Sequence, residues 1–184
     1  MAISRSNSAA TISPLPNLDY RVREKLGFLP AESDAVGRTS QITGQASVTE
    51  SRVGVRITAA SFKVAVNTLK SDEAMRDQHI RAIGLQSDEY PTATFVLSDP
   101  LSLPSSALSG RVVDVRVTGV FNIHGTARTE TVPLQTALSN TTIHAVGSLT
   151  FPWSTFNMTA PSVAGFVSVS GKATMEFDLR LQRR

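Results

Sequence analysis

Near its C-terminus the chain alternates almost without a break. Between 165 and 182, Val167, Val169, Ala173, Met175, Phe177, Leu179 and Leu181 stand at odd positions, and Ser168, Ser170, Lys172, Thr174, Glu176, Asp178 and Arg180 at even ones. Successive side chains on a β-strand point to opposite faces of its sheet, so this segment is a long strand with one dry and one wet face. Seven further segments repeat the pattern. Eight amphipathic strands joined by turns predict an all-β fold, an eight-stranded antiparallel barrel whose inward wall is continuous hydrocarbon. Either side chains or a ligand must fill that wall, and function depends on which.

The first segment sets Leu18, Tyr20, Val22, Leu26 and Phe28 against Asp19, Arg21, Arg23 and Lys25, and 30–39 reads as a polar loop. The second places Ile42, Gly44, Ala46 and Val48 inward and the third Val53, Val55, Ile57 and Ala59, with a hairpin turn at 49–52; beyond Phe62, Val64 and Val66 the period changes. Inward residues of the next four are Ala93, Phe95 and Leu97; Val113, Val115, Val117, Phe121 and Ile123; Val132, Leu134 and Leu138; and Ile143, Ala145, Leu149 and Phe151. Turns fall at 100–110, at Gly125 and at 139–140. Gly119, Gly147 and Gly171 occupy inward positions, where a missing side chain serves strand coiling or the close approach of a ligand.

One stretch breaks the β pattern. Residues from about 71 to 84 read as a short helix near one mouth of the barrel, with Ser71 as N-cap, Asp72 and Glu73 in the first turn and Gly84 as a left-handed C-terminal residue. Asp72 with Arg76 and Asp77 with Arg81 stand four apart, the spacing of helical ion pairs, while Met75, His79, Ala82 and Ile83 share a stripe.

A length of 184 residues suits one domain, read as a flexible Ser-rich segment over 1–16 and a barrel over 17–184. The absence of cysteine excludes disulfides, thiol nucleophiles and zinc–thiolate sites. A net charge of +3 agrees weakly with transient contact with an anionic membrane surface. The arginines scatter over several strands without interleaved exposed aromatics, which argues against nucleic-acid binding. No run approaches the roughly 18–20 apolar residues of a membrane helix, and Met1 to Ala10 carry no hydrophobic signal segment. The expected location is the cytoplasm if Met1 is the native start, and the cell envelope, periplasm or exterior if a leader has been trimmed. Monomer and homodimer both remain open.

Chemistry-bearing residues are sparse. His79, His124 and His144 fall on a helix, a turn and a polar strand face with no spacing motif joining them, so no metal site is expected. His124, beside Gly125, suits a turn hydrogen bond. Asp114 and Glu130 lie on outward registers, and no Ser-His-Asp arrangement, phosphate loop or carboxylate dyad is present. The expectation is therefore a non-enzymatic protein. The alternatives are an enzyme using His79 as general acid or base in the cavity, and a structural cell-envelope barrel with a filled interior.

Three blocks resemble a known family. Met75-Arg-Asp-Gln-His-Ile-Arg81, then Glu89-Tyr-Pro-Thr-Ala-Thr-Phe95, then Val117-Thr-Gly-Val-Phe-Asn-Ile-His-Gly125 are similar to the RDxHL, YPxxxF and TGxLxxHG blocks of the YceI-like family, in the same order and spacing. The resemblance spans about 41–182. Trp153 stands where the family usually has arginine and Asn157 where it has glycine, and the opening strand lacks the usual tryptophan and histidine-serine start. The family implies a lipocalin-like barrel with a helix near one mouth, enclosing an isoprenoid chain such as a polyprenyl or quinone tail. On that reading the protein binds, stores or transports a long-chain isoprenoid lipid and needs no other cofactor. The expected lumen contacts are Ile42, Val55, Ile57, Phe95, Leu97, Val115, Val117, Phe121, Leu149, Phe151, Met175 and Phe177. Arg76, His79, Trp153 and Phe156 are candidates for the mouth or a head group, Trp153 and Phe156 serving either as an end plug or as a gate. A tail of some forty carbons at about 0.3 kcal/mol per atom gains roughly 12 kcal/mol, enough for tight capture without a polar anchor.

Overall fold

The computed structural model describes residues 7–12, 17–26, 33–51, 54–139, 142–163 and 167–183. Among these lie twelve strands: β1 (Asn7–Ile12), β2 (Asn17–Leu26), β3 (Ser33–Thr39), β4 (Ile42–Ser51), β5 (Gly54–Ala65), β6 (Thr92–Leu97), β7 (Leu101–Pro104), β8 (Val113–Ile123), β9 (Thr126–Ser139), β10 (Thr142–Pro152), β11 (Ser162–Val163) and β12 (Val167–Arg183). Neighbours pair in the order β1-β4-β5-β6-β8-β9-β10-β12, and β12 returns to β1 through Ala10↔Arg183, Thr11↔Gln182 and Ile12↔Leu181. Since β6 and β7 pair with successive halves of β5, they act as one broken stave, and the antiparallel ring has eight.

The ring closes by two different devices. β12 shares one edge between β2, which pairs with Val167 to Asp178, and β1, which pairs with its last residues. At the end where β12 begins, β2 pairs with β3, and β3 reaches the segment after β5 through an Arg38–Lys70 bridge with hydrogen bonds of 2.8 and 3.0 Å. Two assignments change as a result. Residues 7–12, expected within a flexible segment, form β1: an Asn-Ser-Ala-Ala-Thr-Ile strand has little apolar surface, but its backbone satisfies two neighbours, β4 and β12. Residues 33–39, expected as loop, form β3 with Ala35 fully buried. Phe28, Val53 and Asn140 lie outside the described residues, as do the side chains of Leu18, Tyr20, Val22 and Leu26.

The period changes beyond Val64 because β5 ends at Ala65, and within β5 lies an irregularity that the alternation does not show. Ser47 pairs with Ala59 but Val48 pairs with Ile57, so Thr58 is an extra residue, a β-bulge. Its hydroxyl donates to the carbonyl oxygen of Ser47 (3.3 Å). The inward parity shifts from Val55 and Ile57 to Ala60, Phe62 and Val64, and Ala59, expected inside, is exposed.

The helix is shorter and differently capped than expected. α1 (Ala74–His79) continues into a π-helical turn at Ile80–Gly84. Glu73 is the N-cap, accepting from the Met75 N–H, while Ser71 N–H and Oγ–H both donate to the buried Asp77 carboxylate (2.9 and 2.6 Å). Arg76 pairs with Asp72 as expected, and its hydrogen bond holds the Asp72 carboxyl below its ordinary pKa range. Arg81 Nε–H donates instead to the Asp77 carbonyl oxygen (3.3 Å). Gly84 is not left-handed: Gln86 takes that conformation (φ 46°), and Gly84 is small because Pro161 lies against it. The stripe of Met75, Ala82 and Ile83 faces solvent, whereas Ile80 is buried.

Buried apolar residues form two clusters, one toward β1 and a larger one that runs along the barrel wall to the helix end. Toward β1 the cluster contains Ala46, Val48, Val55, Leu103, Ala107, Leu138, Ile143 and Leu181, with the 3-10 turn Ser105–Ser109 folded in as a plug. Toward the helix, Val66, Leu69, Phe151, Trp153, Phe156 and Met158 pack together.

Candidate functional site

Along the barrel axis runs an apolar lumen of about 110 Å³. Its lining follows from strand parity: Ile42 and Ala46 come from β4, Ile57, Ala60, Phe62 and Val64 from β5, Ala93, Phe95 and Leu97 from β6, and Val117, Phe121 and Ile123 from β8. β9, β10 and β12 complete it with Val132, Leu134, Ile143, Ala145, Met175, Phe177, Leu179 and Leu181. A smaller apolar cavity shares Ala93, Ile123 and Met175 with it and reaches the helix end at Ile80, Leu85, Phe151, Trp153 and Met158. The lumen and this cavity thus share wall residues along one axis.

Among the described residues, none lining either cavity is ionisable; the polar members are Thr94, Thr136 and Thr174. Thr136 Oγ–H donates to the His144 carbonyl oxygen (2.9 Å), and the Thr174 hydroxyl shares a hydrogen bond with Thr150 (2.8 Å), so both polar groups are engaged by the wall. Such a lining rewards removal of hydrocarbon from water and offers no anchor for charge.

Eight of the twelve expected lumen residues line the main cavity: Ile42, Ile57, Phe95, Leu97, Val117, Phe121, Met175 and Phe177. Phe151 lines the smaller one, whereas Val55, Val115 and Leu149 line neither. Val55 belongs to the plug, 2% exposed against Leu103 and Ala107. Reading every inward residue as lumen misses the difference between a stave's middle and its ends. Leu101, Leu85 and Met158 came from segments read as turns or loops, where alternation gives no signal. Thr136 is an inward polar residue that a search for apolar alternation passes over.

The four mouth candidates separate. Trp153 is buried in the smaller cavity's wall, and Phe156, fully buried, meets Phe151 edge-on with centroids 4.8 Å apart. Arg76 and His79 line neither cavity: Arg76 is paired with Asp72, and His79 Nδ1 hydrogen-bonds the Met75 carbonyl oxygen one helical turn back (2.8 Å).

The sequence blocks converge at this end. His124, at φ 52°, makes a left-handed turn with Gly125 (φ 67°) between β8 and β9. Its Nδ1 hydrogen-bonds the Phe156 carbonyl oxygen (3.2 Å), its Nε2 the Gln86 side-chain amide (2.7 Å), and its ring packs on Tyr90 at 4.2 Å. His124 therefore ties the β8–β9 turn, the post-helix loop and the 153–156 strap together. Asn157 follows that strap at φ 54°, ψ 30°, a conformation glycine and asparagine adopt most readily. Its side-chain amide donates to Thr126 Oγ1 (3.1 Å). Among the described residues no cluster of three His, Asp or Glu side chains is disposed to hold a metal, and no helix is long and apolar enough to cross a membrane.

The model of one family, the YceI-like domain, matches residues 10–181. The chain belongs to that family. Solved YceI-like folds superpose on it. A polyisoprenoid-binding domain from Saccharophagus degradans implicated in plant cell wall breakdown covers 97% of this chain and 100% of its own at 15% identity and a TM-score of 0.67. BcnA of Burkholderia cenocepacia covers 90% and 95% at 20% identity and 0.63, and the Campylobacter jejuni YceI protein 70% and 74% at 12% and 0.55. No curated protein matches the chain at a significant level. At these identities the likeness bears on the fold alone.

Proposed function

We propose that this protein is a non-enzymatic carrier that binds a long-chain isoprenoid lipid, of polyprenyl or quinone type, along the barrel axis. One observation carries the proposal: the eight staves enclose a lumen whose described lining is hydrocarbon apart from Thr94 and Thr136, and the Thr136 hydroxyl is engaged by the wall. Family membership supports it, since the structurally similar Saccharophagus degradans domain is described as polyisoprenoid-binding. An acid–base mechanism needs an ionisable group facing the substrate, and His79 is bonded back to its own helix.

Loading takes place at the helix end. There the barrel is capped by a six-residue helix, a single π turn and the 153–156 strap, whereas the other end is sealed by the tightly buried Leu103–Ala107 plug. The same helix that lends Ile80 to the mouth carries Met75 (66% exposed) and Ile83 (43%) on its outer side, an apolar surface suited to transient contact with a lipid bilayer during transfer. The test is solvent extraction and native mass spectrometry of the gently purified full chain, followed by incubation of delipidated protein with a polyprenol or a quinone. A co-purifying or freshly loaded lipid at one per chain is expected. A protein that is always empty and takes up neither compound overturns the proposal.

A further inference from the structure

Three of the inward glycines are seats for phenylalanine rings. A Cβ built on Gly44 would collide with the Phe62 ring, one on Gly119 with the Phe95 ring, and one on Gly147 would stand 2.8 Å from Phe177 and 2.6 Å from Leu134. In each case the aromatic side chain of one stave lies over the bare backbone of its neighbour: Phe62 on β5 over β4, Phe95 on β6 over β8, Phe177 on β12 over β10. Phe62 and Phe95 are directly paired across β5 and β6, yet lean apart, their planes within 14° of parallel and their centroids 6.1 Å apart. Phe121, paired with Phe95 on its other side, continues the row at 4.8 Å. Rings that occupy a neighbour's Cβ volume lie along the wall and do not stand into the axis. Gly171 differs: it sits at the irregularity between Val169 and Ala173, is exposed, and has no atom within 4 Å of its would-be Cβ.

We propose that Phe62, Phe95 and Phe177, seated on Gly44, Gly119 and Gly147, form with Phe121 an aromatic belt that sets the bore of the lumen, admitting a flexible methyl-branched chain and rejecting a rigid fused-ring lipid such as a sterol. This rests on the carrier reading and specifies its substrate class. Adding a methyl at a seat tips the ring into the bore and narrows it; replacing a ring by leucine leaves the seat vacant and widens it. Because the Pro133 carbonyl oxygen also lies 2.7 Å from the Gly147 Cβ position, widening variants are the safer arm.

The test loads delipidated full-length protein with decaprenol and, separately, with cholesterol, each quantified by extraction and mass spectrometry, with circular dichroism confirming the fold of every variant. Wild type is expected to take up decaprenol at least tenfold better than cholesterol. The Phe95→Leu/Phe177→Leu double variant is expected to raise cholesterol uptake at least tenfold. Gly171→Ala, at a glycine with no neighbour over it, is expected to behave as wild type with both lipids. Wild type that loads decaprenol, with a widened variant no more permissive to cholesterol, overturns the belt and leaves the carrier reading intact. Wild type that loads neither lipid overturns both.

Discussion

If the barrel axis is open, two leucines of the broken stave formed by β6 and β7, Leu97 and Leu103, must differ sharply in what they contribute.

 Leu97 on β6 lines the lumen and is only half-buried, whereas Leu103 on β7 is 2% exposed within the plug, against Val55 and Ala107. Leucine-to-alanine changes in packed cores cost about 2–5 kcal/mol, a transfer term plus about 24 cal/mol for each Å³ of void left behind. Leu103→Ala opens a new void in close packing and is expected to cost about 4 kcal/mol. Leu97→Ala enlarges space that already exists, so its cavity term falls away. Three carbons at about 0.8 kcal/mol each, halved for partial exposure, leave about 1 kcal/mol. Urea unfolding of delipidated protein, with slopes compared to exclude a change in the unfolded ensemble, measures both. A polyprenol at a hundred times its Kd adds about 2.7 kcal/mol to wild type. That increment is expected to shrink in Leu97→Ala and to persist in Leu103→Ala. Equal losses near 4 kcal/mol for both variants would mean that the axis is packed solid, and the carrier reasoning fails with it.

Three shorter predictions concern the helix end. Asn157→Val forces a β-branched residue into a left-handed conformation and is expected to lower stability by about 1–2 kcal/mol in thermal melts, while Asn157→Gly stays near wild type; equal melting of the two variants contradicts the conformational argument. Asp77→Ala removes the acceptor for both Ser71 donors and is expected to cost about 1–3 kcal/mol and to speed amide exchange across 71–84 at least tenfold; unchanged exchange shows that another contact holds the segment. Asp72, its pKa lowered by Arg76, favours the folded state above the ordinary aspartate range, and this contribution disappears as pH falls through the lowered value. Asp72→Asn is expected to flatten the acid limb of melting temperature against pH at low salt, and superimposable limbs refute the pairing.

Alternation made most of the wall legible because strand parity is a geometric constraint on every residue. Val113 to Ile123, Ile143 to Phe151 and Ala173 to Leu181 all keep their expected faces. What escaped lay where another term outweighs parity. Thr58 resembles any polar strand residue, and it is a bulge only because Ser47 pairs with Ala59 and Val48 with Ile57, leaving it between them. β1 is held by backbone hydrogen bonds on both edges, which composition does not record. The Leu103–Ala107 plug is a loop folded back into the barrel, so its apolar residues carry no period. The blocks around Asp77, Tyr90 and His124 stood out in the sequence as if they marked chemistry. In the structure they are fasteners: a carboxylate that ties down a loop, and an imidazole that joins three segments at the rim.

How a barrel of this size keeps an unfilled axis follows from where its stability is placed. The wall is held by antiparallel ladders, which depend on no side chain reaching across the lumen. Fully buried side chains pack the Leu103–Ala107 plug and the Trp153–Met158 strap, and Ile42, Val64, Ala93, Val117, Phe121, Ile123 and Val132 are buried in the wall between them. Around the axis, alanines and valines stand among larger isoleucine, leucine and phenylalanine side chains, and three phenylalanines lie over glycines of neighbouring staves. Exchanging small for large residues in the middle should therefore change what the lumen holds before it changes whether the protein folds, whereas the same exchange at either end should do the reverse.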